Sequence, residues 1–171
     1  IFNLKSIQNF TSNFKIKINE NVSKNNDSEN YLLVLPAGEK FKNIESVLEI
    51  LKTALNQNFN RNCTFIAIGG GVISDMTAFA ASIFKRGVDV EFIPTRLLAN
   101  VDAALGGKTG CDFDSYKNMI GSFYPAKELH IWPEFIQSLS EKEYYSGLAE
   151  AIKTALLFSE SMTEIFTTQE K

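Results

Sequence analysis

The chain has 171 residues, is 44% hydrophobic and 22% charged, and carries a formal net charge of -3. That composition fits one ordinary globular domain with a real core and excludes a disordered chain. The acidic balance argues against a dedicated nucleic-acid binder, and no apolar run approaches the roughly 18 residues of a membrane span.

Residues 1–30 carry little signal. Phe14-Lys15-Ile16-Lys17-Ile18 alternates apolar and polar, which suits a strand, and Asn25 to Ser28 suits a turn. Tyr31 to Leu35 is a continuous apolar run stopped by Pro36, the pattern of a strand buried on both faces. Ile44, Val47, Leu48, Leu51 and Leu55 then recur at helical spacing over 44–57. Cys63 to Ile68 predicts a second buried strand, running into Gly69-Gly70-Gly71. An Ala-rich helix is predicted over 72–84, a strand over 88–93, a short helix over 97–105 and a short strand over 128–132. The alternation of strand and helix predicts a parallel sheet with helices on both faces. Its core is predicted to hold Leu33, Val34, Phe65, Ile66, Ile68, Val90 and Phe92. Ser140-Glu141-Lys142-Glu143 is a capping box that opens a long helix to about Phe158, and residues 140–171 are read as helical.

The two cysteines, Cys63 and Cys111, cannot form a disulfide framework, and their scarcity fits a reducing, cytoplasmic setting. The chain starts at Ile1, shows no signal-peptide pattern and ends at Lys171 soon after a helix-like stretch. We read it as a piece of a longer protein.

A strand that ends in three glycines and opens a helix lets a ligand approach the backbone closely, and the helix N-terminus suits a pyrophosphate. Ser74 stands where the dinucleotide fingerprint wants its third glycine. From the glycines alone, a tight packed turn and a nucleotide site are equally good readings. Asp102 interrupts a small, apolar segment. Lys108 lies in a glycine-rich loop, Gly106 to Gly110, and Lys117-Asn118 in a second loop. Spacing alone favours two ordinary surface lysines over an oxyanion pocket. Glu150 and Lys153 share a helix face with Leu157, so an apolar residue lies beside a charge pair. A surface salt bridge is the default reading of such a pair.

Together these segments resemble the 3-dehydroquinate synthases. The residues that carry the resemblance run from Pro36 to Leu157: Gly38-Glu39, Lys42-Asn43, Gly69 to Asp75, Arg86-Gly87, Ile93-Pro94-Thr95, Leu97-Leu98-Ala99, Val101-Asp102, Gly106 to Gly110, Lys117 to Gly121 and Gly147 to Lys153. The resemblance implies an NAD-binding α/β domain over 1–139, with a shortened N-terminal strand–helix unit. It also implies the beginning of a helical metal and substrate domain over 140–171. It implies NAD and a divalent metal, zinc or cobalt, as cofactors, a phosphorylated sugar acid as substrate, and a homodimer. The reaction it implies converts 3-deoxy-arabino-heptulosonate 7-phosphate to 3-dehydroquinate with loss of phosphate, in the shikimate pathway.

Carried over position by position, the resemblance assigns Glu39, Lys42, Gly70, Gly71, Asp75, Thr95, Leu98, Lys117, Phe135, Leu139 and Glu143 to the cofactor. It assigns Asp102, Lys108, Asn118 and Lys153 to the substrate and catalysis, and Arg86 to the phosphate site of a neighbouring subunit. Glu150 matches one metal ligand. The family's other two ligands are histidines, and the single histidine here, His130, falls in a predicted strand and is read as structural. Arg96 and Ser138 replace threonines of the family pattern. The 171 residues alone are therefore expected to be inactive. A related sugar-phosphate cyclase, a metal-dependent polyol dehydrogenase and a non-catalytic NAD-binding remnant are the competing readings.

Overall fold

The computed structural model describes residues 31–167. Residues 1–37 and 38–171 form two compact units. Of the first, residues 31–37 carry no strand or helix, and Val34 is 73% exposed. The strand expected at Tyr31 to Leu35 is thus absent, and Val34 leaves the predicted core. An apolar run becomes a strand only when a neighbour completes its ladder, and no backbone hydrogen bond reaches these residues among those described. The strand expected at 14–18 lies outside the described residues.

In the second unit a 3-10 turn at Glu39–Phe41 leads to helix α1, Ile44–Asn56. Asn43 caps it by accepting from the Ser46 N–H at 3.0 Å. The buried stripe is Val47, Ile50 and Ala54, while Leu48 and Leu55 of the expected stripe are exposed. Strand β1 (Thr64–Gly69) runs into helix α2 (Gly71–Ile83), and β2 (Asp89–Pro94) lies parallel to β1. A short β5, Glu128–Leu129, extends the sheet in the order β1-β2-β5, again parallel.

Between them stand two elements. Residues Ala99–Ala103 form a π-helical turn inside the helix expected at 97–105. Lys108–Phe113 and Tyr116–Phe123 form an antiparallel hairpin, β3 and β4. The two segments expected as loops are therefore strands: Lys108 opens β3, and Lys117-Asn118 lies in β4. The turn between them, Asp114-Ser115, has φ of +47° and +67°, the left-handed pair of a tight two-residue hairpin.

Helix α2 packs on β1, β2 and β3, and α1 packs on α2. Burial alternates along β1: Phe65 and Ala67 face α2 and are buried, while Ile66 is 44% exposed. Val90 and Phe92 are core as expected, and Ile66 is not. A strand is buried on both faces only where a second layer lies over it, and Ile66 has no such cover among the described residues.

A 3-10 segment, Pro133–Ser138, leads to α3 (Glu141–Phe158), capped by Ser140, and then α4, Glu160–Thr167. Helix α3 crosses the 97–98 segment at Gly147. A Cβ there would lie 2.6 Å from both the Leu97 Cβ and the Leu98 nitrogen, so only glycine permits this approach. No described helix is long and apolar enough to cross a membrane.

Candidate functional site

The C-terminal ends of β1 and β2 lie side by side, with Gly69 opposite Pro94. Thr95, almost fully buried, donates its N–H to the Gly69 carbonyl at 2.9 Å. In open parallel sheets this edge is where ligands bind. Gly70 is the N-cap of α2, so no cap side chain covers the first turn of the helix. A Cβ on Gly70 would lie 2.9 Å from Cδ of Arg96, and one on Gly71 would lie 3.2 Å from the Ala103 Cβ. The turn is lined by backbone because side chains press on it from the other side.

One helical turn on, Asp75 meets the centre of a polar network. Lys42 is buried, yet its Nζ lies 2.5 Å from Asp75 Oδ2 and 2.6 Å from Asn118 Oδ1. Asp112 fixes two members. Its N–H donates to the Lys42 carbonyl at 2.8 Å, and its Oδ1 accepts the Asn118 N–H at 2.8 Å. Asn118 is held at φ +52°, a left-handed conformation that asparagine tolerates better than most residues. Lys117 reaches Glu39 at 3.3 Å on the exposed rim. Three segments far apart in sequence thus converge: the 3-10 turn, α2 and the hairpin.

Burial pushes the Asp75 carboxyl above its ordinary value of 3.8, against the pull of Lys42, and the negative charges of Glu39 and Asp102 add to the rise. The folded chain therefore holds this proton more tightly than the unfolded chain. Its stabilising share is complete below pH 3.8 and is lost as pH rises through the raised value. Asp75→Asn removes that loss. Its urea midpoint relative to the parent should climb as pH rises above 3.8 and then level off. A pH-independent difference would show that burial does not govern Asp75.

A second group lies beside the glycine turn. Arg96 pairs with Glu143 at 2.9 Å, and both line a cleft of about 520 Å³ with Leu98, Ser140, Lys142 and Ser146. Glu143 also completes the helix cap: its N–H donates to Ser140 Oγ, and the Ser140 hydroxyl donates to its carboxylate at 3.3 Å. Glu143 therefore fills the capping role expected of it while its carboxylate also lines the cleft.

The other expected residues lie on α3, at the start of β3 and in the turns. Glu150 and Lys153 form an ion pair with each other on α3. Lys108 is exposed at the start of β3, and Phe135 and Leu139 are half-buried before α3. Arg86 is exposed in the turn after α2 at φ +68°. Asp102, exposed in the π-helical turn, acts on Asp75 through its charge. Asp112 and the placement of Arg96 were not anticipated. The signal for Arg96 was its replacement of a threonine. Asp112 gave none, because its role depends on the hairpin.

Comparison with known proteins shows the family. Residues 32–146 match the family described as 3-dehydroquinate synthase N-terminal. A 3-dehydroquinate synthase of Campylobacter hominis is 46% identical over 136 residues, 80% of this chain and 40% of that protein. One from Helicobacter pylori is 46% identical over 137 residues, with the same shares. The chain thus spans about 40% of the length of the curated relatives it matches. Among solved structures, the 2-epi-5-epi-valiolone synthase ValA of Streptomyces hygroscopicus, with NAD+ and Zn2+ bound, superposes with TM-score 0.73 at 34% identity. It covers 77% of this chain and 37% of its own. A 2-deoxy-scyllo-inosose synthase complexed with carbaglucose-6-phosphate, NAD+ and Co2+ gives TM-score 0.71 at 26% identity, covering 74% and 34%. The match over most of the chain's length makes it a member of the 3-dehydroquinate synthase family.

Proposed function

We propose that this chain is the NAD-binding part of a 3-dehydroquinate synthase, the phosphate-eliminating cyclase of the shikimate pathway. Residues 1–139 are read as the cofactor domain and 140–171 as the beginning of a helical domain. The observation that carries the reading is the Gly70-Gly71 turn at the sheet's carboxyl edge, one helical turn from the Lys42–Asp75–Asn118 network.

The donors present fit a dinucleotide. The α2 N-terminus opens without a capping side chain, and its glycines leave backbone on the inner surface. That suits a diphosphate. Bound at this turn, NAD would supply reversible hydride chemistry at a substrate alcohol without being consumed. The chain's own work is to bind and orient. Asp75 and Glu39 offer acceptors for hydroxyl groups, and Lys42 holds Asp75 in place from the buried side. Arg96 and Glu143 wall the cleft beside the turn, with Thr95, Leu98, Lys117, Phe135 and Leu139 as further cofactor positions. Lys108, Lys153, Asp102 and Asn118 supply the cations and polar groups for a phosphorylated sugar acid. Arg86, exposed, suits the phosphate site of a second subunit in a homodimer.

A catalytic metal is not held at Glu150 by the residues described around it. Glu150 is a single carboxylate tied to Lys153, whereas a catalytic zinc normally takes three protein ligands. Glu150 is proposed as one ligand of a centre completed outside these residues. Both cysteines are free thiols, which supports the cytoplasmic setting.

Titration calorimetry of the full chain with NAD+ tests the reading. The parent should bind, and Gly70→Val should not, while its thermal unfolding stays cooperative. Equal binding by both, or by neither, would sink the cofactor assignment. The same chain with NAD+, zinc and the sugar acid should release no phosphate.

A further inference from the structure

The far edge of the sheet carries a separate cluster of ionisable side chains. Glu91 on β2 and Glu128 on β5 are register partners, directly opposite on neighbouring strands. His130 follows two residues after Glu128, so it projects from the same face. Its N–H donates to the Phe92 carbonyl at 2.8 Å and continues the ladder. The sheet itself therefore fixes three side chains side by side. His130 Nε2 lies 3.1 Å from Glu91 Oε2 and 3.7 Å from Glu128 Oε2, and one ligand atom from each of the three falls within 4.8 Å of the others.

Two like charges directly across a sheet repel, and Glu91 is only 22% exposed, so water screens it poorly. Among the described residues neither carboxylate has a lysine or arginine in ion-pair range; Lys127, paired with Asp89 at 2.6 Å, acts on both only through its charge. A protonated His130 would offset one of the two negative charges. A divalent cation on the neutral imidazole would offset both.

The geometry points to a divalent transition-metal site formed by Glu91, Glu128 and His130. Ligand atoms of a tetrahedral zinc centre sit about 3.3 Å apart, given metal–ligand bonds of about 2.0–2.1 Å. The two shorter separations straddle that value. The longest closes by swinging Glu128, the most exposed of the three. One imidazole with two carboxylates suits zinc, cobalt or nickel, and leaves a fourth position for water. Calcium and magnesium, which prefer all-oxygen shells, fit less well.

His130 is the chain's single histidine, so its imidazole resonances report this site alone. The test is a zinc titration of the full chain followed by NMR of that ring. The ring signals should shift and saturate, and Glu128→Gln should weaken the apparent affinity roughly tenfold or more. Excess magnesium should not compete. Ring signals that stay fixed while zinc binds elsewhere, such as at Cys63, would overturn the proposal. So would parental affinity in both Glu128→Gln and Glu91→Gln, which would mark a lone imidazole. Neither readout involves NAD, so this inference and the cofactor assignment can fail separately.

Discussion

Lys42→Met should lower the melting temperature by about 10 °C, from a loss of about 3 kcal/mol. The magnitude follows from burial. Lys42 is 7% exposed at its side chain and serves both Asp75 and Asn118. Removing it strands a half-buried carboxylate and an amide oxygen, and breaking such a pair costs far more than breaking an exposed one. Lys117 provides the contrast. Its pair with Glu39 is 72% and 48% exposed, so Lys117→Met should change stability by well under about 1 kcal/mol. Burial already holds the Asp75 carboxyl above its ordinary value despite Lys42, so desolvation outweighs attraction and the pair is a poor source of stability. The double variant Lys42→Met with Asp75→Leu should therefore recover much of the lost stability while abolishing NAD+ binding. Thermal melts and calorimetry on the three proteins separate these outcomes. If Lys42→Met melts with the parent, the network is not the buried anchor described here.

Much of this arrangement was legible in the sequence wherever local pattern and tertiary role coincide. The Ala-rich, apolar run after the glycines placed α2 within one residue of its observed limits. The capping box placed Ser140 at the head of α3. Lys42 and Asp75, assigned by resemblance to the cofactor, meet Asn118, assigned to the substrate, and Lys117 pairs with Glu39 beside them.

The failures share a cause. Gly106 to Gly110 and Lys117-Asn118 read as loops because their hairpin turns at Asp114-Ser115, not Asn-Gly, and its strands carry glycines in place of alternating apolar residues. The stripe of α1 was set one position off because Leu48 and Leu55 are apolar yet exposed. Only the neighbour that a helix packs on decides which apolar residues are core. Ile66 failed for the same reason, since nothing described covers its face of β1. Arg96 was visible as a departure from pattern, but its pairing with Glu143 depends on how α3 crosses near Leu97, and Gly147 sets that crossing.

Gly121→Ala should cost more than any surface change in the hairpin, roughly 3 kcal/mol or more, and should also weaken NAD+ binding. Gly121 pairs with Gly110 across the hairpin. A Cβ on Gly121 would fall 1.9 Å from the Thr109 carbonyl oxygen and 2.8 Å from the Gly110 Cα. Those are backbone atoms, so no rotamer change relieves the clash and the strands must part. The parting would travel along β4 to Asn118, three residues away, whose N–H is held by Asp112 and whose side chain accepts from Lys42. Glycine here is thus a packing requirement of the site, although no ligand touches it in this reading. Gly106 is the control on the same loop–strand unit, because a Cβ there meets nothing within 4 Å. Gly106→Ala should leave both the melting temperature and NAD+ affinity near the parent values. If Gly121→Ala behaved like Gly106→Ala, the strands would not approach as closely as described, and Asn118 would owe its position to Asp112 alone.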